Sequence, residues 1–272
     1  MVNLPITEKG RLKLAALFLF FPFSTLLSRA DSPKNSDFSV AVQARYSPRH
    51  EFNTELERRY RAYFQSDFQM KIGILISGRG SNMAAIIEAV QSGLIFGGGV
   101  AVVISDKTGA EGLLKAEERG VETVVITKNR RTREEHDAEI VGELQKRGVE
   151  LVCLAGYMRL LSKNFVRAFP NKIINIHPSL LPSFKGLDAQ KQAIDYGVKI
   201  SGCTVHFVDE DLDHGAIILQ KAVEVSDDDT AESLAAKILA QEHALYVEAI
   251  GKITADGLEV DGRRVVGKKK KT

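Results

Sequence analysis

Asn175 and His177 stand two residues apart at the end of an apolar run, Lys172 to Ile176, and Pro178 and Pro182 follow at once. In an extended strand a spacing of two puts both side chains on one face. The prolines stop the strand and stiffen its exit. An amide N–H and an imidazole projecting together from a strand end can stabilise a developing oxyanion and move a proton. An isolated N-x-H reads more simply as a histidine that ends a strand and bonds a turn. The rest of the chain turns the reading toward chemistry.

Two groups of acids bear on that pair. Asp209, Glu210, Asp211 and Asp213 crowd one turn just before Gly215. Asp209 and Asp211 read as solvated turn residues. Leu212 before Asp213 and the apolar Ala216 to Ile218 after it predict a partly buried position for that one carboxylate. Beside His177 it would favour the protonated imidazole. Glu242 falls with Ile238 and Leu245 at i, i+4 and i+7, one helical face. A carboxylate on an apolar stripe needs a partner or a ligand donor, unless it sits at the stripe's edge and reaches water. His206 lies within an apolar strand and faces either the site or the core. His136 and His243 read as helix-surface or boundary positions and His214 as a turn residue. No pair of residues has metal-ligand spacing, so no metal is expected.

Gly78-x-Gly80 follows a strand and opens a helix. Exposed N–H groups at a helix start bind anions, and glycine lets a phosphate approach. The third glycine of a dinucleotide fingerprint is replaced by Met83, although Asp106 mimics the acid that holds a ribose. The turn is therefore read as a phosphate site without a dinucleotide, or else as a tight turn with no ligand.

The elements that must position these groups alternate. Strands are predicted at 71–77, 99–105, 122–126, 150–155 and 172–176, with helices at 82–94, 109–119, 132–148 and 162–168 between them. A short helix near 188–196, strands at 200–208 and 216–225, and a long helix over about 230–250 complete the domain. Asp229 and Glu232 are expected to form the capping box of that last helix. Such alternation means an α/β fold: a Rossmann-like, mostly parallel twisted sheet with helices on both faces and antiparallel strands toward the C-terminus.

The 272 residues are 44% hydrophobic and 26% charged, ordinary values for a globular chain of one sizeable domain with appendages. Two cysteines in apolar, strand-like segments read as reduced buried thiols and a reducing compartment. The net charge of +2 divides into +3 over residues 1–69, +4 in Lys268 to Lys271 and −5 over the body. An acidic body with a short lysine tail is not a nucleic-acid footprint. Residues 1–69 read as an extension. Lys9, Arg11 and Lys13 precede an uncharged run, Leu14 to Ser28, too short and too broken by Pro22 for a stable membrane span. That run looks like a secretion signal. A transit peptide, or a start assigned upstream of a strand that opens at Met70, also explains it, and the last is favoured. The chain is accordingly expected in the cytoplasm. The catalytic domain is expected over 70–265 and a lysine-rich tail over 266–272.

Residues 76–82 (ISGRGSN), 154–161 (LAGYMRLL), 174–182 (INIHPSLLP), 202–208 (GCTVHFV) and 241–243 (QEH) together resemble the phosphoribosylglycinamide formyltransferases of the formyl transferase family. The resemblance spans about 70–265 and implies the formyltransferase fold, with 10-formyltetrahydrofolate as co-substrate and glycinamide ribonucleotide as acceptor in purine synthesis. It implies Asn175, His177 and Asp213 as the catalytic triplet. Gly80, Ser81 and Asn82 would hold the substrate phosphate and Glu242 the ribose. Arg133, Met158, Arg159, Leu160 and Leu161, with Asn175, would meet the folate. Leu239, His214, Ala216 and Asp188 depart from the pattern, and bear on affinity rather than reaction type. A monomer or a homodimer is compatible with the sequence. A formyltetrahydrofolate hydrolase would use the same triplet with water as acceptor. A non-catalytic Rossmann nucleotide-binding module would use Gly78, Gly80 and Asp106 and leave Asn175 and His177 without a role.

Overall fold

The computed structural model describes residues 70–268, so the expectations for 1–69 and 269–272 lie outside the described residues. In chain order the elements are β1 (Met70–Ile76), α1 (Ser81–Gln91), β2 (Gly98–Ser105), α2 (Glu111–Glu117), β3 (Thr123–Val125), α3 (Arg133–Lys146), β4 (Leu151–Leu154), α4 (Lys163–Ala168) and β5 (Ile173–His177). Then come α5 (Ala189–Tyr196), β6 (Ile200–Phe207), β7 (Ile217–Glu224), α6 (Ala231–Asp256), β8 (Leu258–Asp261) and β9 (Arg264–Gly267). The expected alternation is there, with boundaries shifted by a few residues. The hairpin β8–β9 was not anticipated, and β9 runs two residues into the stretch assigned to the tail.

Seven strands form one sheet in the order β3-β2-β1-β4-β5-β6-β7. Pairing is parallel from β3 to β5 and antiparallel from β5 to β7. The chain leaves β1 toward β2 on one side and returns to β4 on the other. Ligands of open α/β sheets collect in the crevice at such a switch point, beyond the carboxyl ends of the strands.

Each face of the sheet buries its own cluster. Ile72, Ile74 and Ile76 of β1 point with Cys153, Ile174, Ile176 and Val205 toward α1, α2 and α6. Leu75, Val102, Ile104, Val152 and Ile173 point the other way, toward Ile140 and Leu144 of α3 and Phe165 of α4. This second cluster stops at β5. Beyond it, the same face carries Asn175 and His177 of β5, paired in register with His206 and Thr204 of β6. Polar residues thus begin where the second helical layer ends, and the site sits on that uncovered stretch.

Local chemistry fixes the helix starts. Thr132 and Glu135 exchange side-chain and backbone hydrogen bonds in a capping box on α3. Ser162 caps α4 through the Phe165 N–H. For α6 the box is Thr230 with Ser233, not Asp229 with Glu232. Asp229 instead braces it from outside, accepting from the Ser226 N–H at 2.8 Å and the Ser233 hydroxyl at 2.7 Å. Cys153 and Cys203 are free and buried, and burial pushes the Cys203 thiol up to about 12 and that of Cys153 higher still. His136 is a correction: it is buried rather than at the helix surface, because its Nε2 reaches the Ile126 carbonyl at 2.7 Å and satisfies the ring.

Candidate active site

The loop after β5 is stitched onto the antiparallel strands. The Thr204 hydroxyl donates to the Ser179 carbonyl at 2.7 Å and accepts the Leu181 N–H at 3.0 Å. Gln220 Nε2 donates to the Leu181 carbonyl at 2.9 Å. This carries the chain, through a cis Leu181–Pro182 peptide, over the end of β5 to Phe184 and Gly186. The β6–β7 turn comes back from the other side. Gly215 is obligatory there, since a Cβ would stand 1.8 Å from the Phe207 carbonyl oxygen.

Between loop and turn, His177 Nδ1 lies 3.3 Å from Asp213 Oδ2. The imidazole is buried, and the carboxylate side chain is only 10% exposed. Asp213 adopts a left-handed backbone, φ 44°, which costs free energy for a residue with a Cβ. Its carboxylate also accepts the Gly186 N–H at 2.9 Å. On the far side of the ring, His177 Nε2 is 2.8 Å from the Phe184 carbonyl, a contact it makes as an N–H donor. Acceptors therefore face both nitrogens, and the ring can donate at both only as the imidazolium.

His206, which the sequence left between site and core, belongs to the site. Its Nδ1 is 2.8 Å from the Phe207 carbonyl, which makes Nδ1 the protonated nitrogen. Burial holds its pKa below the ordinary histidine value, against the pull of that carbonyl and of Asp213. Neutral Nε2 is then an acceptor, and Asn175 Nδ2 donates to it at 3.3 Å. This fixes which way the Asn175 amide points, with NH₂ inward and its second N–H uncommitted. Asp213 Oδ1 lies 3.7 Å from His206 as well. Asn175, His177, Asp213 and His206 form one cluster.

The glycine turn builds a second cluster. Gly80 is left-handed at φ 66°, and a Cβ there would sit 2.8 Å from the Gly112 Cα. It occupies the cap position of α1 without any side-chain cap, so the first N–H groups of the helix stay free for an anion. Asn82 Nδ2 donates at 2.8 Å to Glu242 Oε2, bringing together two residues 160 positions apart. Glu242 is buried on the α6 stripe rather than at its edge, and desolvation raises its pKa while the Asn82 donation opposes that shift. Asn82 Oδ1 is buried with no partner among the described residues. One helical turn beyond Glu242, the Tyr246 hydroxyl meets the Leu154 carbonyl at 3.1 Å and the Ile174 carbonyl at 3.0 Å. The acid is thereby registered against β4 and β5.

The switch point joins these parts. Ser77, the first residue after β1, bonds the Gly156 carbonyl through its N–H at 3.1 Å and accepts the Met158 N–H on its hydroxyl at 2.9 Å. Nothing in the spacing along the chain marks Ser77 for this role. Arg159 Nε is bonded to Asp106 Oδ2 at 2.6 Å, while Asp106 Oδ1 is buried with no partner among the described residues. Met158 and Leu160 on this segment, Leu187 on the β5–α5 loop and Leu212 on the acidic turn are exposed apolar side chains. Leu161 is partly buried and packs on the second cluster. Arg133 is exposed at the first position of α3. Among the described residues no group of three or more His, Cys, Asp or Glu could hold a metal, and no helix is long and apolar enough to cross a membrane.

A family model described as formyl transferase matches residues 70–250. The chain is 43% identical over 177 residues to phosphoribosylglycinamide formyltransferase of Haemophilus influenzae, a match covering 65% of this chain and 83% of that protein. It is 44% identical over 193 residues to the trifunctional purine biosynthetic protein adenosine-3 of Gallus gallus, covering 71% of this chain but only 19% of that longer relative. The crystal structure of glycinamide ribonucleotide transformylase 1 from Symbiobacterium toebii superposes with a TM-score of 0.72 at 49% identity, covering 74% of this chain and 95% of that one.

Proposed function

Since the chain belongs to the formyl transferase family, we propose that it transfers the formyl group of 10-formyltetrahydrofolate to the amine of phosphoribosylglycinamide, a step of purine biosynthesis. The observation that carries this reading is the His177–Asp213 contact at 3.3 Å beside an Asn175 amide aimed by neutral His206. Acyl transfer to an amine needs donors for an oxyanion and a route for one proton, and these groups supply both.

The Gly80–Asn82 turn receives the acceptor's phosphate on free helix N–H groups, and Glu242 with Asn82 meets its ribose. Met158, Arg159, Leu160 and Leu161 line the folate site with Leu187 and Leu212, whose exposed apolar surfaces suit a flat aromatic ring system. Attack of the neutral amine on the formyl carbon forms the new C–N bond and puts a negative charge on the formyl oxygen. Asn175 donates to that oxygen through its uncommitted N–H. The His177 imidazolium reaches it when the Phe184 carbonyl gives way at Nε2. Asp213 holds the imidazolium at Nδ1 and helps carry the proton from the amine to the folate nitrogen, whose bond to the formyl carbon then breaks.

Removing one oxyanion donor costs roughly 10²–10³ in rate, so Asn175→Ala is expected to lose at least about that factor. Near-normal turnover in that variant overturns the assignment. Following loss of the formyl folate with and without phosphoribosylglycinamide separates transfer from hydrolysis: loss at the same rate without the acceptor points to water as the nucleophile.

A further inference from the structure

The β8–β9 hairpin lies beyond the 70–250 stretch that the family model matches, yet its tip reaches the acidic turn. Arg263 Nη1 stands 2.9 Å from His214 Nε2, and His214 Nδ1 stands 2.8 Å from Asp209 Oδ2. A guanidinium only donates. Nε2 must therefore accept, and Nδ1 carries the hydrogen that goes to Asp209. His214 is a bridge between a guanidinium on the hairpin and a carboxylate at the start of the turn. It is also one of the positions at which this chain departs from the pattern it resembles.

His214 directly follows Asp213, whose left-handed backbone persists only where its surroundings over-determine it. Three features do so. The Gly186 N–H grips the carboxylate, the Phe207 carbonyl leaves Gly215 no room for a side chain, and the bridge fixes His214 from both sides. Elsewhere in the turn Glu210 is held by Lys163 at 3.1 Å and Arg167 at 3.0 Å, contacts that, unlike the bridge, do not involve the residue next to Asp213. The hairpin is a firm support because Leu258, Val260 and Val265 pack on the first core cluster. Its tip also walls a cavity of about 420 Å³ shared by Arg263, Lys185, Leu181, Ile217, His214 and Asp213. Truncating Arg263 widens a space that Asp213 also lines.

We infer that Arg263, acting through His214, is a positioning residue for Asp213, so that the C-terminal hairpin sets the geometry of the catalytic turn. This rests on the role given to Asp213 above. The test measures formyl transfer with both substrates for the full chain, Arg263→Ala, His214→Ala and the double variant. Arg263→Ala is expected to lower kcat roughly three- to tenfold, the scale of one ordinary hydrogen bond in a solvent-accessible turn. Both KM values stay within about twofold, because no substrate contact is removed. The double variant falls no further than the worse single one, since both break the same bridge, and Arg263→Lys recovers part of the loss. An unchanged kcat in Arg263→Ala, or losses that multiply in the double variant, overturns the inference. Amide hydrogen exchange at Asp213 and His214 gives a readout independent of the reaction. It should quicken at least about threefold in Arg263→Ala, and unaltered exchange overturns the inference even if the parent chain transfers no formyl group.

Discussion

Two carboxylates of the site, Glu242 and Asp213, are held in opposite ways. Glu242 sits mid-helix on α6, with one hydrogen-bond donor, Asn82, and a backbone of regular geometry. Asp213 sits in a turn, in a left-handed backbone, among one N–H and two imidazoles. The first end is built from helix starts and strand ends that the core already fixes. The second is assembled from two irregular segments that hold one another. Regular elements serve where a ligand must be bound in one pose. Irregular ones serve where a charged group must meet a partner that no helix or strand geometry would deliver. Damage at the two ends should therefore differ in kind: lost turnover at the turn, lost stability or binding at the helices.

The largest effect tests the turn. Asp213→Asn keeps the Gly186 contact but removes the charge beside His177, and turnover should fall by roughly 10²-fold or more, with the melting temperature nearly unchanged. A large drop in stability with kcat preserved reverses the comparison. At the other end Gly80→Ala forces a Cβ into a left-handed position against Gly112. It should cost about 1–3 kcal/mol of stability in denaturant unfolding and raise the KM for the phosphorylated substrate more than it lowers kcat.

Glu242→Gln sharpens the contrast further. Burial raises the Glu242 pKa in the fold, so the native state binds more protons than the unfolded chain just above the ordinary glutamate value. Stability from this group is present at low pH and lost as pH rises through its folded pKa. The glutamine variant should escape that loss and melt slightly higher than the parent at pH 8, by at most about 1–2 kcal/mol equivalent, while binding the ribonucleotide less well. Equal melting at pH 8 leaves Glu242 without the expected burial cost. The smallest effect concerns His206, whose pKa burial lowers. Below the ordinary histidine value the unfolded chain takes up a proton that the folded one refuses, so stability falls as pH drops through that value toward the folded pKa. His206→Gln, which keeps an acceptor for Asn175, should flatten the acid side of a melting-temperature profile between pH 7 and 5.

Much of this was legible in the residues. The i, i+2 spacing placed Asn175 and His177 on one face, the apolar neighbours of Asp213 marked it among four acids, and helical period put Glu242 on the stripe. Each signal is local, and local period survives folding. What escaped depends on register or on long-range packing. His206 meets Asn175 because β6 runs antiparallel with those two residues opposed, which no spacing along the chain encodes. His136 is buried although charged residues surround it in sequence, since a carbonyl ten residues away completes its hydrogen bonding. The capping box slipped by one position because Thr230 and Ser233 form the box themselves while Asp229 braces from outside. The final hairpin did carry a signal, Gly262 between short apolar runs, which takes the first place of a two-residue turn with a positive φ that favours glycine. Its strands of four residues each are too short to stand out by period.

The two cysteines of the chain are both buried, with thiols pushed far from ionising at neutral pH. Maleimide or iodoacetamide reagents, which need the thiolate, will therefore pass them by in the native protein. A cysteine introduced at Leu187, 75% exposed on the loop that also carries the Phe184 carbonyl, becomes the preferred labelling site without any background substitution. A fluorophore attached there would report directly on whether that carbonyl swings away from the imidazole when ligand arrives.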